Sequence, residues 1–195
     1  PTSLASSYEY DYIKENSNGT FSPNYIPEQW IVELFDEEDL RFQNWFTFKT
    51  LTYGTITGDV YMFTKFPGNP ELLDGTGASS KYQHKIKPFR IAEQYLIAAE
   101  AYAKAGNEVK ANEYLNKLKG KRIPGGKIVS YTGDNLLKQI KDERARELFG
   151  EGFRLSDLRR WGDGLKRSRA QADQIINTAG GTNTEFLEKS ASDKF

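Results

Sequence analysis

The sequence predicts a mainly α protein, with packed helices behind an irregular, loop-rich part that carries a small β-hairpin. Three observations lead there. Residues 1–87 are rich in Tyr, Phe, Gly, Pro and Thr, whereas residues 88–167 are rich in Ala, Leu, Glu, Lys and Arg. In the second stretch apolar residues recur every three or four positions, the period of an amphipathic helix. In the first, two runs rich in aromatics and Thr alternate around a glycine-bounded segment, the pattern of a hairpin. Residues 168–195 read as a polar tail, and the 195 residues together as one domain fragment.

In the irregular part, Ser22-Pro23-Asn24 and Ile26-Pro27 are turn signals. Glu28 to Phe35 then spaces Trp30, Ile31, Leu34 and Phe35 as a short helix would, and the charged cluster Asp36 to Arg41 ends it. Trp45 to Leu51 and Asp59 to Phe66 are the expected strands, joined through Gly54 to Gly58. Pro67 to Lys81 reads as an exposed loop.

In the helical part, Pro88 is placed as a first-turn proline. Ile91, Tyr95, Ala98, Ala99 and Tyr102 share one face, and Ala92, Leu96, Ala99 and Ala103 the next, so this helix is expected to pack on two sides. Gly106 stops it. A second helix runs from Asn107 to about Lys119 with Ala111, Leu115 and Leu118 inward, broken by Gly120, Pro124, Gly125 and Gly126. The pair resembles a tetratricopeptide unit, two antiparallel helices with small residues at the crossing. A third helix starts at Thr132 or Asp134 and turns Leu137, Ile140, Ala145, Leu148 and Phe149 inward. Gly150 and Gly152 end or kink it, and a short helix, Ser156 to Trp161, follows.

Composition excludes several function classes. Lys+Arg and Asp+Glu are both 27, so no basic excess points to nucleic acid or to a membrane surface. With no Cys there is no disulfide framework, Cys-ligated metal or Cys nucleophile. His84 is the only histidine, so neither a zinc site nor a Ser-His-Asp triad is expected; it reads as exposed. No apolar run is long enough to span a bilayer, and no cofactor is implied. Glu143 with Glu147, or Glu147 with Glu151, stand one helical turn apart. One helix face does not flank a sugar from two sides as glycoside hydrolysis requires, so no catalytic residue is assigned.

The densest motif is Glu143-Arg144-Ala145-Arg146-Glu147-Leu148-Phe149-Gly150-Glu151-Gly152-Phe153-Arg154-Leu155-Ser156-Asp157-Leu158-Arg159-Arg160-Trp161. By spacing alone it is a helix with charges three and four apart, Asp142 with Arg146 and Glu143 with Arg146 among them, and such a run is ordinarily a solvated face. It also resembles the signature ER-x-x-EL-x-x-EG-x-R-x-x-DL-x-R-W of SusD/RagB proteins. Arg90-Ile91-Ala92-Glu93-Gln94-Tyr95-Leu96-Ile97-Ala98-Ala99-Glu100-Ala101, Leu115-Asn116-Lys117-Leu118 and Asp39-Leu40-Arg41 resemble further blocks of that family, in the same order.

The resemblance implies the C-terminal portion of a cell-surface, outer-membrane lipoprotein. Such a protein has no enzymatic activity and captures oligosaccharides, or peptides in some members, for a SusC-like TonB-dependent transporter. The membrane would be reached only through a lipid anchor outside this chain. It also implies a structural role for the motif residues Arg90, Glu93, Glu100, Glu143, Arg146, Glu147, Glu151, Arg154, Asp157, Arg160 and Trp161, with Glu143, Arg146, Glu147, Arg154, Asp157 and Arg160 in ion pairs between helices. A plain tetratricopeptide-type module for protein or peptide interaction is the rival reading. It accounts for the helical pair but needs neither the charged motif nor the aromatic first part.

A sugar offers an apolar ring face edged by hydroxyls, so its site needs aromatic platforms rimmed by polar groups. Tyr8, Tyr10 and Tyr12 alternate on one side of any extended segment, with Asn16 and Asn18 following, and make the first candidate. Trp45, Tyr53 and Tyr61, on or near the hairpin, make the second.

Overall fold

The structure, a computed structural model, describes residues 11–16, 18–67, 87–167, 170–178 and 188–189. Its elements are α1 (Gln29–Glu33), α2 (Leu40–Trp45), β1 (Phe46–Tyr53), β2 (Ile56–Phe63), α3 (Ile91–Lys104), α4 (Glu108–Arg122), α5 (Gly133–Glu147), α6 (Arg154–Trp161), β3 (Leu165–Lys166), α7 (Asp173–Thr178) and β4 (Glu188–Lys189). The fold is mainly α, with β1 and β2 as a small antiparallel hairpin and a short β3–β4 pair. No helix among the described residues is long and apolar enough to cross a membrane. The expected loop at 67–81 falls, past its first residue, outside the described residues, as does His84.

The chain forms two compact units, one of residues 1–32, 41–86 and 167–187, the other of 33–40, 87–166 and 188–195. In the first, the hairpin pairs Phe46 with Phe63 through Tyr53 with Ile56. Only Gly54 and Thr55 remain to turn the chain, a tighter connection than expected. Gly54 takes φ +61 while Thr55 does not enter positive φ, which matches a two-residue hairpin turn with glycine first. Alternation then divides the side chains. Leu51, Val60 and Met62 face a core with Ile13 and Ile175, onto which Tyr12, Phe21, Ile26, Ile56 and Ala172 pack. Helix α7 lies so close to β2 that a Cβ on Gly58 would meet Ala172 Cβ at 2.8 Å and Ile175 Cδ1 at 2.9 Å. The cluster at 36–41 does not end helical structure for long, because α2 begins at Leu40.

In the second unit, α3, α4 and α5 enclose Ala92, Leu96, Ala99, Ala111, Leu115, Leu118, Leu136 and Ile140. Burying a Leu or Ile side chain contributes roughly 1.5–3 kcal/mol, so these few side chains dominate the unit's stability. Gly106, at φ +77, turns the chain between α3 and α4, and Asn107 caps α4 by accepting the Lys110 N–H at 3.1 Å.

Several expectations are corrected here. Pro88 precedes α3, whose cap is Arg90. Part of the expected first face of α3 stays open, with Ile91 68% exposed and Tyr102 36%, while Ala92, Leu96, Ala99 and Glu100 are buried. Gly120 does not break α4 but lies within it, since the chain leaves the helix at Ile123. In α5 it is Leu136 that reaches the core, with Leu137 half-buried at the surface.

Helix α4 also holds the extended segment that leads into α5. Asn112 Nδ2 donates to Glu108 O at 2.8 Å and to Tyr131 O at 2.9 Å, while its Oδ1 accepts the Tyr131 N–H at 2.8 Å. One turn on, Asn116 donates to Val129 O at 3.0 Å. Two asparagines four apart thus pair with an extended backbone as a neighbouring strand would.

Candidate functional site

The charged motif is not a solvated face. Glu143, Arg144, Arg146, Glu147 and Asp157 are all buried, Glu143 and Glu147 completely. A buried charge is tolerated only when paired and hydrogen-bonded, and the structure supplies partners from distant positions. Arg122 binds Glu147 in a fork, through Nε at 2.9 Å and Nη2 at 2.8 Å. Arg90 Nη1 reaches the same carboxylate at 2.8 Å, and its Nε and Nη2 hold Glu151 at 3.0 and 2.6 Å. Burial lowers the Arg90 pKa, but the hydrogen bonds to Glu151 and Glu147 more than offset it and leave the guanidinium above its ordinary value.

A second set joins α3 to α6. Arg160 binds Glu100 through Nη1 and Nη2, the latter at 2.7 Å, and Asp157 through Nε at 2.8 Å. Trp161 Nε1 donates to Glu100 at 2.9 Å, and Lys104 binds the same carboxylate at 2.9 Å. Burial raises the Glu100 pKa, but the bonds from Arg160, Lys104 and Trp161 override it, and the carboxyl is held at about 2. Arg144 Nε meets Asp157 at 3.0 Å. Arg146 binds Glu143 with Nη2 at 2.7 Å and caps the Leu34 carbonyl with Nη1 at 2.9 Å. The Asp142–Arg146 spacing is not used, because Asp142 pairs with Lys138 at 2.6 Å. Glu93 takes no part in these pairs and stands half-buried in the first turn of α3. Arg154 opens α6 and lines a shallow charged cleft of about 400 Å³ with Asp134, Lys138, Lys141, Asp142 and Asp163.

This arrangement leaves the helix carboxylates occupied by guanidinium groups rather than open to a substrate. Among the described residues no group of three or more His, Asp or Glu side chains is placed to hold a metal ion.

The aromatic candidates separate. Tyr8 and Tyr10 lie outside the described residues. Tyr12 packs inward, its ring 5.1 Å from Phe63 and 5.8 Å from Tyr25. Asn16 is exposed but engaged locally, donating to Thr20 Oγ1 at 2.9 Å and accepting from Ser22 Oγ at 3.2 Å. Trp45 is half-buried under the Lys65 ammonium, 4.1 Å from its ring centroid. Tyr53 is exposed near the turn, five residues from Phe48 and so on the opposite hairpin face.

Tyr61 is brought together with residues that the sequence reading did not single out. It pairs across the hairpin with Phe48, ring centroids 5.1 Å apart at 62°, and Phe42 stands 5.2 Å from it, tilted by 49°. The Tyr61 N–H donates to Gln171 Oε1 at 2.8 Å, and Gln171 Nε2 donates to Tyr61 O at 3.2 Å and to Pro27 O at 2.8 Å. Both backbone groups of Tyr61 therefore point away from β1. Phe48 and Tyr61 form a non-hydrogen-bonded cross-strand pair, the kind whose side chains stand closest. The next pair on the same face is Thr50 with Asp59, the Thr50 hydroxyl donating to Asp59 Oδ1 at 2.6 Å. Phe46 and Phe63 bury the inner end of this face, whereas Phe48 is 54% exposed. An apolar side chain at a strand position is ordinarily read as core, so nothing in the sequence marked Phe48, and Gln171 contacts Tyr61 across 110 residues.

The chain is a mainly α protein with a buried ion-pair web and an aromatic hairpin face. Residues 57–194 match the model of the SusD family, and the chain belongs to that family. Solved structures share the fold. A protein from Bacteroides vulgatus superimposes with TM-score 0.60 at 24% identity, covering 93% of this chain and 36% of its own. A SusD-like carbohydrate binding protein from the same organism gives TM-score 0.59 at 26% identity, covering 83% and 33%. A SusD superfamily protein from Bacteroides fragilis gives 0.57 at 19% identity, covering 98% and 45%. The chain thus spans between a third and a half of the length of these structures. No curated protein sequence matches it.

Proposed function

We propose that this chain is part of a non-catalytic receptor that binds oligosaccharides at the cell surface and hands them to a TonB-dependent transporter of the outer membrane. Membership of the SusD family carries the reading, and the carbohydrate-binding description of one structural neighbour supports it. The chemistry is compatible. The motif carboxylates are engaged by arginines, while exposed aromatic rings beside hydroxyl and carboxylate groups suit a ligand with apolar ring faces and donor hydroxyls. Tyr61, Trp45, Tyr53, Tyr12 and Asn16 remain the ligand-binding candidates among the described residues.

Calorimetry against a panel of oligosaccharides and peptides, with product analysis of the same mixtures, tests this. Saturable binding of an oligosaccharide without turnover is the expected result. Release of a cleaved product would end the non-catalytic reading, and saturable binding of peptides alone would favour the protein-interaction module.

A further inference from the structure

We infer that Phe48 and Tyr61, with Asp59 and Thr50 beside them, form a stacking subsite for a neutral pyranose ring. The inference rests on the receptor reading above and gives it a location. Four observations carry it.

The first is exposure against context. Phe46, Phe63, Phe48 and Tyr61 lie on one hairpin face, and the inner two are buried while Phe48 keeps 54% of its surface in water. Phe48 meets the Tyr61 ring edge-on, centroids 5.1 Å apart at 62°, so the two rings form one continuous apolar surface.

The second is rigidity. The buried amide of Gln171 binds both backbone groups of Tyr61 and ties them to Pro27 O, so the strand beneath the ring is held as firmly as if a third strand were present. Phe42, at 5.2 Å, backs the Tyr61 ring. A platform fixed before binding loses little conformational freedom when a ligand arrives.

The third is the polar edge. Thr50 satisfies Asp59 Oδ1, leaving Oδ2 as an acceptor beside the rings. Thr52 and Thr57, the next pair along the same face, are exposed hydroxyls. Sugar hydroxyls donate to a carboxylate and exchange bonds with threonine, so an apolar ring face bordered by hydroxyls matches in both respects.

The fourth is charge. Asp59 is the one residue charged at neutral pH among the paired strand residues on this face. Lys49 belongs to the opposite face, its ammonium 5.2 Å from the Phe21 ring. A carboxylate with no cation among the described strand residues of its face disfavours uronic, sulfated or phosphorylated sugars and selects a neutral one.

The test is calorimetry of the whole chain against neutral gluco-, manno- and xylo-oligosaccharides and against charged glycans. It compares the unaltered chain with Phe48→Ala, Tyr61→Ala and Asp59→Asn, and with Phe89→Ala as an exposed aromatic control outside the hairpin. Circular dichroism verifies the fold of each. Support is a loss of at least about tenfold in affinity for Phe48→Ala and Tyr61→Ala, a smaller loss for Asp59→Asn, and no change for Phe89→Ala. If the unaltered chain binds a glycan and Phe48→Ala binds it equally well, the subsite is wrong and the receptor reading stands. If the unaltered chain binds only charged glycans, the neutral subsite is wrong and the receptor reading stands; if it binds no glycan at all, both fall. A dimer that Phe48→Ala dissolves, with no glycan bound, would assign the face to self-association and also overturn the subsite.

Discussion

Arg90 grips Glu147 twice, through the carboxylate at 2.8 Å and through the backbone carbonyl at 2.9 Å, across 57 residues of chain. The second bond satisfies a carbonyl near the C-terminus of α5, where the helix leaves its last carbonyls without intrahelical partners. The first shares a buried carboxylate with Arg122. One side chain thus ends a helix and neutralises a charge within it.

Glu147→Ala is expected to destabilise the protein by about 3–5 kcal/mol, because two guanidinium groups lose their common partner. Arg90→Lys is expected to cost less, roughly 1–3 kcal/mol, since an ammonium keeps the charge but does not reproduce the fork. Urea unfolding at neutral pH measures both, and equal stability of Glu147→Ala and the unaltered chain would show that the pair contributes nothing.

Acid titration isolates Glu100. Its folded pKa, about 2, lies below the ordinary carboxylate value of about 4.3, so its contribution is complete above pH ~4.3 and is lost as pH falls through about 2. The size is on the order of 2–3 kcal/mol. Glu100→Gln is expected to flatten the stability profile within that window and leave its shape unchanged above it. Glu113 is likewise held at about 2, by Lys110 and Lys117, but on an open surface where salt screens the pairs. Glu113→Gln is expected to alter the profile slightly and only at low ionic strength.

Gly58 and Ala172 form a reciprocal pair. Gly58→Ala is expected to cost about 1–3 kcal/mol, because the new methyl would meet Ala172 Cβ at 2.8 Å. Ala172 itself holds φ +47, a left-handed conformation that glycine adopts without strain. Ala172→Gly therefore relieves the backbone and the Cβ contact, leaves the approach to Ile175 Cδ1 at 2.9 Å, and is expected to restore part of the loss. A thermal double-mutant cycle that came out additive would show that the two sites do not meet.

Asn112→Leu keeps the branched outline of the side chain but leaves the Tyr131 N–H and carbonyl without their partners. A loss of about 2–4 kcal/mol is expected, with faster amide exchange at Tyr131 than at the α3 core. Unchanged protection at Tyr131 would mean that the asparagine does not hold the segment.

The helices were legible because α3, α4 and α5 carry their core residues at helical spacing, and Ala111, Leu115 and Leu118 are buried as read. The hairpin was legible from alternation. The errors share a cause, since periodicity fixes a face only to within one residue. Leu136 and Leu137 are both apolar, and packing against Ile140, which spacing does not encode, selects the first. Pattern alone also misjudged the charged run, because Glu143 and Glu147 owe their burial to arginines elsewhere in the chain. On the hairpin, Tyr61 stood out by composition, but Phe48 gains meaning only through register and Gln171 only through the folded chain.

The Gln171–Tyr61 contact also bears on the order of assembly. The first unit is interrupted by residues 87–166 and resumes at 167, so its strand β2 waits for a side chain more than a hundred positions away. The helices between them close their own core, α3 packing with α4 and α5 through residues 92–140. During synthesis the core of α3, α4 and α5 is therefore able to condense before Gln171 supplies the amide that closes the outer edge of β2.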